Sequence, residues 1–269
     1  MEQIIEKMVD TENISEFLSL WLDHNLLSFE NKKIFDRYYH SYKYHFGKYI
    51  KHYYKRQTKE LMEILNEKPH SNILEIGCGC GTESLWMALH GANVTAIDIS
   101  EILLNAAKER QQVIENKIGK PLPLKFKKES ITEINPEIKY DIVWMEQAFH
   151  HLEPRKEVLK ILSEIVLPGG YLIMSETNAW NPLIQFKLFQ LRGFKTIVKG
   201  GEYTYGDERI ITPSSLKRKL KQNGFSDIKY KLFRLLPNKK WADIFKPKNI
   251  NIPIPFMYTH YNIVAKMQN

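Results

Sequence analysis

Three alternate glycines follow a short apolar run that contains one acidic residue. Gly77, Gly79 and Gly81 follow the run, and Glu75 lies two residues before the first of them. Glycine lacks a Cβ atom, so its backbone can take a positive φ and let a ligand come close. An acid beside such a loop suits a ligand that carries positive charge better than a pyrophosphate. Asp98 follows the loop by about 20 residues, the spacing at which an acid binds ribose hydroxyls, so the pattern indicates a nucleoside with a cationic tail.

The same loop departs from the dinucleotide fingerprint G-x-G-x-x-G/A. Counted from Gly77, the sixth position holds Thr82, and counted from Gly79 it holds Ser84. A redox enzyme that uses a nicotinamide is therefore disfavoured.

The two cysteines of the chain, Cys78 and Cys80, both lie inside this loop. One intervening residue is too short for an unstrained disulfide, and two thiols supply only half of a zinc site. The sequence therefore predicts neither a disulfide nor a metal site. A pair of loop thiols is typical of a reducing compartment.

Apolar runs around these residues predict the elements that position them. A strand before the glycines and a helix after them, capped by Thr82, place the loop at the carboxyl edge of a sheet, where α/β proteins bind ligands. Strands are predicted over residues 73–76, 93–98, 124–127, 140–145, 171–176, 226–233 and 258–266. We expect an α/β fold with a doubly wound, seven-stranded, mostly parallel sheet. We also expect an N-terminal helical cap over 1–68 and a main domain over 69–269, with a substrate-side insertion over 178–211 after the fifth strand.

At the glycine loop the chain resembles the class I S-adenosylmethionine-dependent methyltransferases, whose motif there is E/D-x-G-x-G-x-G, and in particular their small-molecule, type 11-like members. The resemblance extends over about residues 73–176. It includes a D-x-V strand at Asp141 that is followed by His150 and His151, and a P-G-G turn at Pro168, with Leu167 in the family's basic position. It implies a Rossmann-like methyltransferase fold and S-adenosyl-L-methionine as the cofactor.

The resemblance also implies which residues contact the cofactor. In the family, an acid after the third strand and its neighbour contact the adenine amino group. Glu129 and Ser130 occupy these positions, although Asp is commoner there than Glu. The segment after the fourth strand lies over the cofactor in the family and faces the substrate. The predicted cofactor-binding residues are Glu75, Gly77, Cys78, Gly79, Gly81, Asp98, Ile99, Glu129, Ser130, Met145 and Gln147.

Three residues after the fourth strand are candidates for the catalytic step: His150, His151 and Glu146. Methyl transfer needs mainly alignment of the reacting groups and exclusion of water. A base is needed only where the acceptor is a hydroxyl or a protonated amine, and histidine titrates near neutral pH. A histidine beside a cofactor is also often structural, and Glu146 could equally bond the cofactor or a loop. The sequence leaves these roles open.

An aromatic stripe marks the N-terminal region. Aromatic residues recur at three- and four-residue spacing between Phe35 and Tyr53, which predicts one amphipathic helix. The stripe can simply pack on the body of the protein. Alternatively, one or two of its tyrosines line the methyl-transfer pocket, or the stripe and its interleaved lysines bind nucleic acid.

The insertion contains a second ambiguous segment, over 180–192. Ile184, Leu188 and Leu191 share one helical face, while Phe186 and Phe189 lie nearly opposite. Such a helix either packs on both sides, as a lid against the N-terminal helices, or touches a lipid or a long-chain substrate. Basic residues that would attract an anionic head group are Lys187, Arg192, Lys195 and Lys199.

The composition limits the classes of binding partner but does not choose among them. The formal net charge is +8 and the pI is near 9.2, which favours an anionic small molecule, a membrane surface or nucleic acid. The N-terminus lacks the apolar core of a signal peptide, and no apolar run approaches ~18 residues. We therefore expect a cytoplasmic protein, with peripheral membrane contact as an open question and nucleic acid disfavoured. The sequence does not indicate an oligomeric state.

The leading hypothesis is an S-adenosylmethionine-dependent methyltransferase that acts on a small or lipid-like molecule with an apolar body and a polar or acidic group. An RNA or protein methyltransferase is the alternative, which the positive charge would help. A second alternative is a module that binds the nucleoside but has lost catalysis.

Overall fold

The computed structural model describes residues 2–198, 200–236, 239–245 and 253–268. Among the described helices, none combines the length and the hydropathy needed to span a bilayer. The helices are α1 (Glu2–Asp10), α2 (Ile14–Asp23), α3 (Phe29–Tyr38), α4 (His40–His45), α5 (Lys48–Gln57), α6 (Lys59–Glu67), α7 (Thr82–Leu89), α8 (Glu101–Ile118), α9 (Arg155–Ile165), α10 (Pro182–Arg192) and α11 (Pro213–Gln222). The strands are β1 (Asn72–Ile76), β2 (Asn93–Asp98), β3 (Leu124–Lys128), β4 (Tyr140–Glu146), β5 (Val166–Thr177), β6 (Thr196–Val198), β7 (Glu202–Tyr205), β8 (Glu208–Ile211), β9 (Phe225–Phe233) and β10 (His260–Met267).

The described strands form a seven-stranded sheet in the order β3-β2-β1-β4-β5-β10-β9 and a separate three-stranded sheet in the order β6-β7-β8. The pairs β1/β2, β2/β3 and β4/β5 are parallel, whereas β10 runs antiparallel to both β5 and β9. The predicted α/β fold with a seven-stranded, mostly parallel sheet is thereby confirmed. Each strand of the large sheet overlaps a segment that the apolar runs predict.

The chain divides into two compact units, Met1–Glu133 with Asn238–Pro247 and Ile134–Pro237 with Lys248–Asn269. The first unit contains the N-terminal helices and strands β1 to β3. The second contains β4, β5, β9, β10 and the small sheet. The division into a helical cap over 1–68 and a main domain over 69–269 stays a prediction.

The core of the first unit lies along β1 and β2. Ile73, Leu74 and Ile76 are buried on β1, and Val94 and Ala96 are buried on β2. Such apolar runs are typical of parallel strands that are covered on both faces. Helix α7 packs on β2, α8 packs on β2 and β3, and α1 and α3 pack on α8. The apolar strands therefore hold the loop between β1 and α7 at one end of the unit.

The prediction of one helix from Phe35 to Tyr53 is wrong, because the segment breaks into α3, α4 and α5. Gly47 takes an extended conformation between α4 and α5. The Asp243 carboxylate occupies the space where a Cβ of Gly47 would lie, and it accepts the Tyr49 backbone N–H at 2.9 Å. A distant carboxylate thus caps the N-terminus of α5 and ends the continuous helix.

The insertion over 178–211 has its own small core in the second unit. Helix α10 and the antiparallel strands β6, β7 and β8 fall within it. Ala179, Tyr205 and Ile210 are buried together, and Ile184 and Leu188 of α10 pack against them. One face of α10 is therefore fixed by apolar contacts within its own unit.

Candidate functional site

The glycine loop joins β1 to α7 in the first unit and turns sharply. Gly77, Gly79 and Gly81 have φ of 75°, 51° and 71°, a region that favours glycine over any other residue. The Gly77 N–H donates to the Ile97 carbonyl at 2.9 Å, and the Gly81 N–H donates to the Cys78 carbonyl at 2.8 Å. The loop is thus anchored on β2 at one end and closed on itself at the other.

Asp98 lies at the end of β2 and is tied directly to this loop. One carboxylate oxygen accepts the Gly79 N–H at 2.8 Å, and the other accepts the Ser100 N–H at 2.8 Å. A carboxylate has about four lone-pair sites, so each oxygen keeps acceptor capacity. The side chain is only half-buried. The structure therefore brings Gly79 and Asp98 together and leaves Asp98 able to accept further hydrogen bonds.

Glu75 is buried rather than open to solvent. The Ser84 hydroxyl, in the first turn of α7, donates to the Glu75 carboxylate. This bond links β1 to α7 and places a carboxylate within the strand that leads into the loop. A direct contact between Glu75 and the cofactor stays a prediction.

Both loop thiols are buried, which disfavours their thiolate forms. Burial raises the pKa of the Cys78 thiol well above its usual value, and the nearby Glu75 and Asp98 carboxylates add to the effect. Burial also raises the pKa of Cys80, to about 12. Because the thiolate is the nucleophilic form, the raised pKa values disfavour both residues as nucleophiles.

Two of the loop glycines are packed against aromatic side chains. A Cβ at Gly79 would collide with the hydroxyl of Tyr38, and a Cβ at Gly81 would lie 2.6 Å from Cζ of Phe126. Tyr38 is 44% exposed, so one tyrosine of the N-terminal stripe lies beside the loop at the surface. Gly81 is required for packing between the loop and β3.

A buried arginine supports the far side of the loop, which the sequence did not indicate. Arg110 of α8 is fully buried and donates to the Cys80 carbonyl at 2.6 Å and to the Thr82 hydroxyl at 2.9 Å. Its guanidinium lies 4.6 Å from the ring centroid of Trp21 and 4.8 Å from that of Phe35. These contacts compensate the charge by hydrogen bonds and cation–π attraction. The sequence feature that could have revealed this role is the position of Arg110 among the apolar residues of α8.

Thr82 does not cap α7 as the sequence suggested. It is the first helical residue, and Gly81 occupies the cap position in the left-handed conformation. The Thr82 hydroxyl instead accepts from Arg110 and from the Tyr39 hydroxyl, the latter at 2.7 Å. Threonine therefore connects the loop to the N-terminal helices rather than to its own helix.

The next residue of α7 extends this buried polar cluster. Glu83 is buried, which raises its pKa, and it accepts the Tyr54 hydroxyl at 2.5 Å. Burial likewise raises the pKa of Tyr54 well above its usual value. Residues from α3, α5, α7 and α8 thus converge directly behind the glycine loop.

The remaining cofactor candidates of the first unit lie close to Asp98. Ile99 follows it and is exposed, and the Glu129 N–H donates to the Asp98 carbonyl at 3.2 Å. The Glu129 side chain is half-buried, and the Ser130 N–H donates to the Glu133 carboxylate at 2.8 Å. The ends of β1, β2 and β3 therefore carry Gly79, Asp98 and Glu129 side by side. Contact of Ile99, Glu129 and Ser130 with the cofactor stays a prediction.

The second unit carries the candidates that follow β4. Met145 is fully buried, and Glu146 is half-buried. Gln147 has a φ of 49°, and its side-chain amide donates to the Ser175 carbonyl at 3.2 Å. Its amide oxygen accepts the Thr177 hydroxyl at 2.7 Å. These bonds fix Gln147 against the end of β5, and its predicted role in cofactor binding stays open.

His150 is held by a buried carboxylate in the second unit. Its Nδ1 lies 2.9 Å from one oxygen of Glu176, whose other oxygen accepts the Phe149 N–H at 2.8 Å. Burial lowers the pKa of His150, but the charge of Glu176 and the hydrogen bond outweigh it, so the pKa is raised above its usual value. A carboxylate accepts only, so Nδ1 carries a proton and Nε2 is the acceptor of the neutral ring.

His151 differs from its neighbour although the two rings lie only 4.1 Å apart. Partial burial and the charge of His150 lower the pKa of His151. It is therefore neutral at pH 7, whereas His150 carries more positive charge. Two adjacent histidines thus titrate in different ranges.

Two residues of the second unit were not recognised from the sequence as candidates. Glu176 was identified only as the end of the fifth strand, and His260 was not singled out. His260 begins β10, opposite Thr177 of β5, and its Nδ1 lies 2.8 Å from the Thr259 hydroxyl. Burial lowers the pKa of His260 well below its usual value, and the charges of Arg234 and His150 lower it further. A carboxylate that ends an apolar strand, as in the case of Asp98, is the signal that identifies Glu176.

Residues 74–172 match a family model described as a methyltransferase domain. The chain is 31% identical over 151 residues to a ubiquinone biosynthesis O-methyltransferase from Dechloromonas aromatica, an alignment that covers 54% of this chain and 60% of the relative. It is 28% identical over 165 residues to the protein of the same name from Hydrogenovibrio crunogenus, covering 61% of this chain and 66% of the relative.

A solved structure shares the fold. Magnesium protoporphyrin IX methyltransferase from Synechocystis, with S-adenosylhomocysteine bound, superposes with a TM-score of 0.57 at 17% identity. The alignment covers 88% of this chain and 96% of that chain. The chain contains a methyltransferase domain over residues 74–172, and it shares the fold of the class I S-adenosylmethionine-dependent methyltransferases, a family whose cofactor is S-adenosyl-L-methionine. It spans less than two thirds of the length of the two curated relatives.

Proposed function

We propose that the whole protein transfers a methyl group from S-adenosylmethionine to a small or lipid-like molecule with an apolar body and a polar or acidic group. The observation that carries the proposal is the hydrogen bond between Asp98 and the Gly79 N–H at 2.8 Å, beside a glycine loop without a dinucleotide fingerprint. The names of the two curated relatives, ubiquinone biosynthesis O-methyltransferases, support a small-molecule acceptor.

The residues of the first unit have the chemistry that S-adenosylmethionine requires. Asp98 would bind the ribose hydroxyls with its remaining lone pairs, and the backbone at Gly77 and Gly79 would allow close approach. Ile99 would flank the adenine with an exposed apolar surface, while Glu129 and Ser130 would bind the adenine amino group. Glu75 would supply negative charge near the cationic tail. When bound, S-adenosylmethionine supplies a methyl group that its sulfonium already activates.

On the acceptor side, His150 is the strongest candidate for a base. Glu176 orients its ring through Nδ1, which leaves Nε2 to take a proton from a hydroxyl or an ammonium group. The raised pKa means that this role strengthens as the pH rises through the titration of His150. His151, with its lowered pKa, and Glu146 are the alternative bases.

A screen with a labelled methyl donor tests the proposal. Small-molecule and lipid extracts, bulk RNA and denatured protein would each be incubated with the full chain, and label incorporation would be measured. We expect incorporation into the small-molecule or lipid fraction. Incorporation into RNA or protein alone would instead support the macromolecular alternative. Binding of S-adenosylhomocysteine without incorporation in any fraction would support a module that has lost catalysis.

The base assignment is tested by substitution once an acceptor is known. His150→Gln should lower kcat and flatten its rise with pH, whereas His151→Gln should leave the pH profile unchanged. If only His151→Gln or Glu146→Gln flattens the profile, the base is that residue.

A further inference from the structure

Helix α10 presents large apolar side chains to solvent. Leu183, Phe186 and Phe189, which we call the outer face, are 76%, 58% and 51% exposed. They follow one another at a spacing of three residues, which keeps them on one broad side of the helix. Phe194 and Ile197, which follow just after the helix ends, are exposed as well. A patch of this kind on a protein surface marks an interaction site.

The opposite face of the helix is packed, so the outer face is not exposed merely because the segment lacks contacts. Ile184 and Leu188, on the inner face, pack on the core of the insertion. Gln185, also on the inner face, donates to the Ala179 carbonyl at 2.5 Å and accepts the Tyr205 hydroxyl at 3.0 Å. The helix that the sequence predicts to be apolar on two sides thus has one packed face, with Ile184 and Leu188, and one exposed face. Leu191, which was expected on the face of Ile184 and Leu188, is 66% exposed.

The charged residues of the segment that carries the outer face are all basic. From Asn178 to Gly201 the sequence contains no acidic residue, while it contains four basic residues, Lys187, Arg192, Lys195 and Lys199. Lys187 and Lys195 are exposed, whereas Arg192 is paired with Asp207 and Glu208 of the neighbouring hairpin, each at 3.1 Å. Apolar groups flanked by exposed lysines match the acyl boundary and the phosphates of an anionic lipid surface.

We propose that the outer face of α10, together with Phe194 and Ile197, binds the surface of a membrane that contains anionic phospholipid. Phe186 and Phe189 enter the boundary between head groups and acyl chains, and Lys187 and Lys195 contact the phosphates. The charge complementarity selects this occupant over a second copy of the chain, because two copies would bring these lysines together. The proposal does not depend on the methyl acceptor or on turnover.

Vesicle sedimentation with the full chain tests this binding. We expect binding to vesicles of phosphatidylcholine with added phosphatidylglycerol, and weaker binding to phosphatidylcholine alone or in high salt. The double variant Phe186→Ser, Phe189→Ser should reduce partition at least about tenfold, because it removes apolar area from the lipid boundary. Phe29→Ser is the matched control, since Phe29 is 84% exposed on α3, and it should bind like the wild type.

A charge variant and a probe separate insertion from simple adsorption. Lys187→Gln with Lys195→Gln should weaken binding to anionic vesicles and leave binding to neutral vesicles unchanged. Cys78 and Cys80 are buried, so an environment-sensitive fluorophore can be attached selectively at Phe186→Cys. Its emission should shift to the blue on anionic vesicles, whereas the same label at Phe29→Cys should not shift.

Three results would overturn the proposal. The first is a wild-type protein that remains in the supernatant with anionic vesicles while it still binds S-adenosylhomocysteine, which separates this failure from failure of the proposed function. The second is a phenylalanine double variant that sediments like the wild type. The third is sedimentation equilibrium that shows a dimer in the wild type and a monomer in the double variant, which would assign the face to a second copy.

Discussion

Replacing Asp98 by asparagine tests two roles of its carboxylate: it accepts backbone N–H groups of the folded chain, and we propose that it binds the ribose of the cofactor. In the wild type, its two oxygens accept the Gly79 and Ser100 N–H groups, both at 2.8 Å. An asparagine side chain has only one acceptor oxygen, so its amide nitrogen would face one of these donors. A hydrogen bond to a charged group contributes about 1.5–3 kcal/mol, and we expect a loss of this size in the free energy of unfolding. The fold survives, because domains are stable by about 5–15 kcal/mol.

The same substitution should weaken cofactor binding. Loss of a charged acceptor for the ribose, at about 1.5–3 kcal/mol, corresponds to about a ten- to hundredfold increase in Kd. Isothermal calorimetry with S-adenosylhomocysteine measures the change, and urea unfolding measures the stability. Asp10→Asn, at an exposed position on α1, is the control and should change neither quantity. Wild-type affinity in Asp98→Asn would refute the assignment of Asp98 to the ribose.

Two further substitutions address the buried groups. Glu176→Gln should lower the pKa of His150, as followed by NMR titration of its Cε1–H resonance, because the charge that raises this pKa is removed. The part of the wild-type stability that comes from this pair is present below the unfolded-state pKa of histidine and is lost as the pH rises through the raised folded-state pKa. An unchanged titration would contradict the pairing. Arg110→Met should cost about 1.5–3 kcal/mol in urea unfolding and weaken S-adenosylhomocysteine binding, because the Cys80 carbonyl loses its bond at 2.6 Å. A wild-type unfolding midpoint would contradict this role for Arg110.

The parts of the site that a local pattern determines were predictable from sequence. The glycine loop, β2 and Asp98 lie within about 25 residues, and their backbone requirements are visible in the residue types themselves. The hydrogen bond between Gly79 and Asp98 agrees with that expectation. The parallel strands β1 and β4 were equally accessible, because buried strands of this kind are continuous apolar runs.

The parts that depend on distant contacts were not predictable. The break before α5 comes from Asp243, a residue that is 194 positions away from the Tyr49 N–H that it caps. The role of Thr82 changed because its hydroxyl accepts from Arg110 of α8 and from Tyr39, which lies between α3 and α4. His150 was a candidate from sequence, but its partner Glu176 lies 26 residues further along the chain, on β5, and could not be assigned. Periodicity reports which face is buried and carries no information on the pairing of polar groups.

Thermal unfolding with each of two ligands tests most directly whether the glycine loop and Asp98 form a site for a cationic nucleoside. A ligand that binds only the native state stabilises it by about 2.7 kcal/mol at a hundredfold excess over Kd. S-adenosylhomocysteine should therefore raise the Tm by several degrees, whereas NAD at the same concentration should leave it unchanged. A clear shift with NAD and none with S-adenosylhomocysteine would contradict the account.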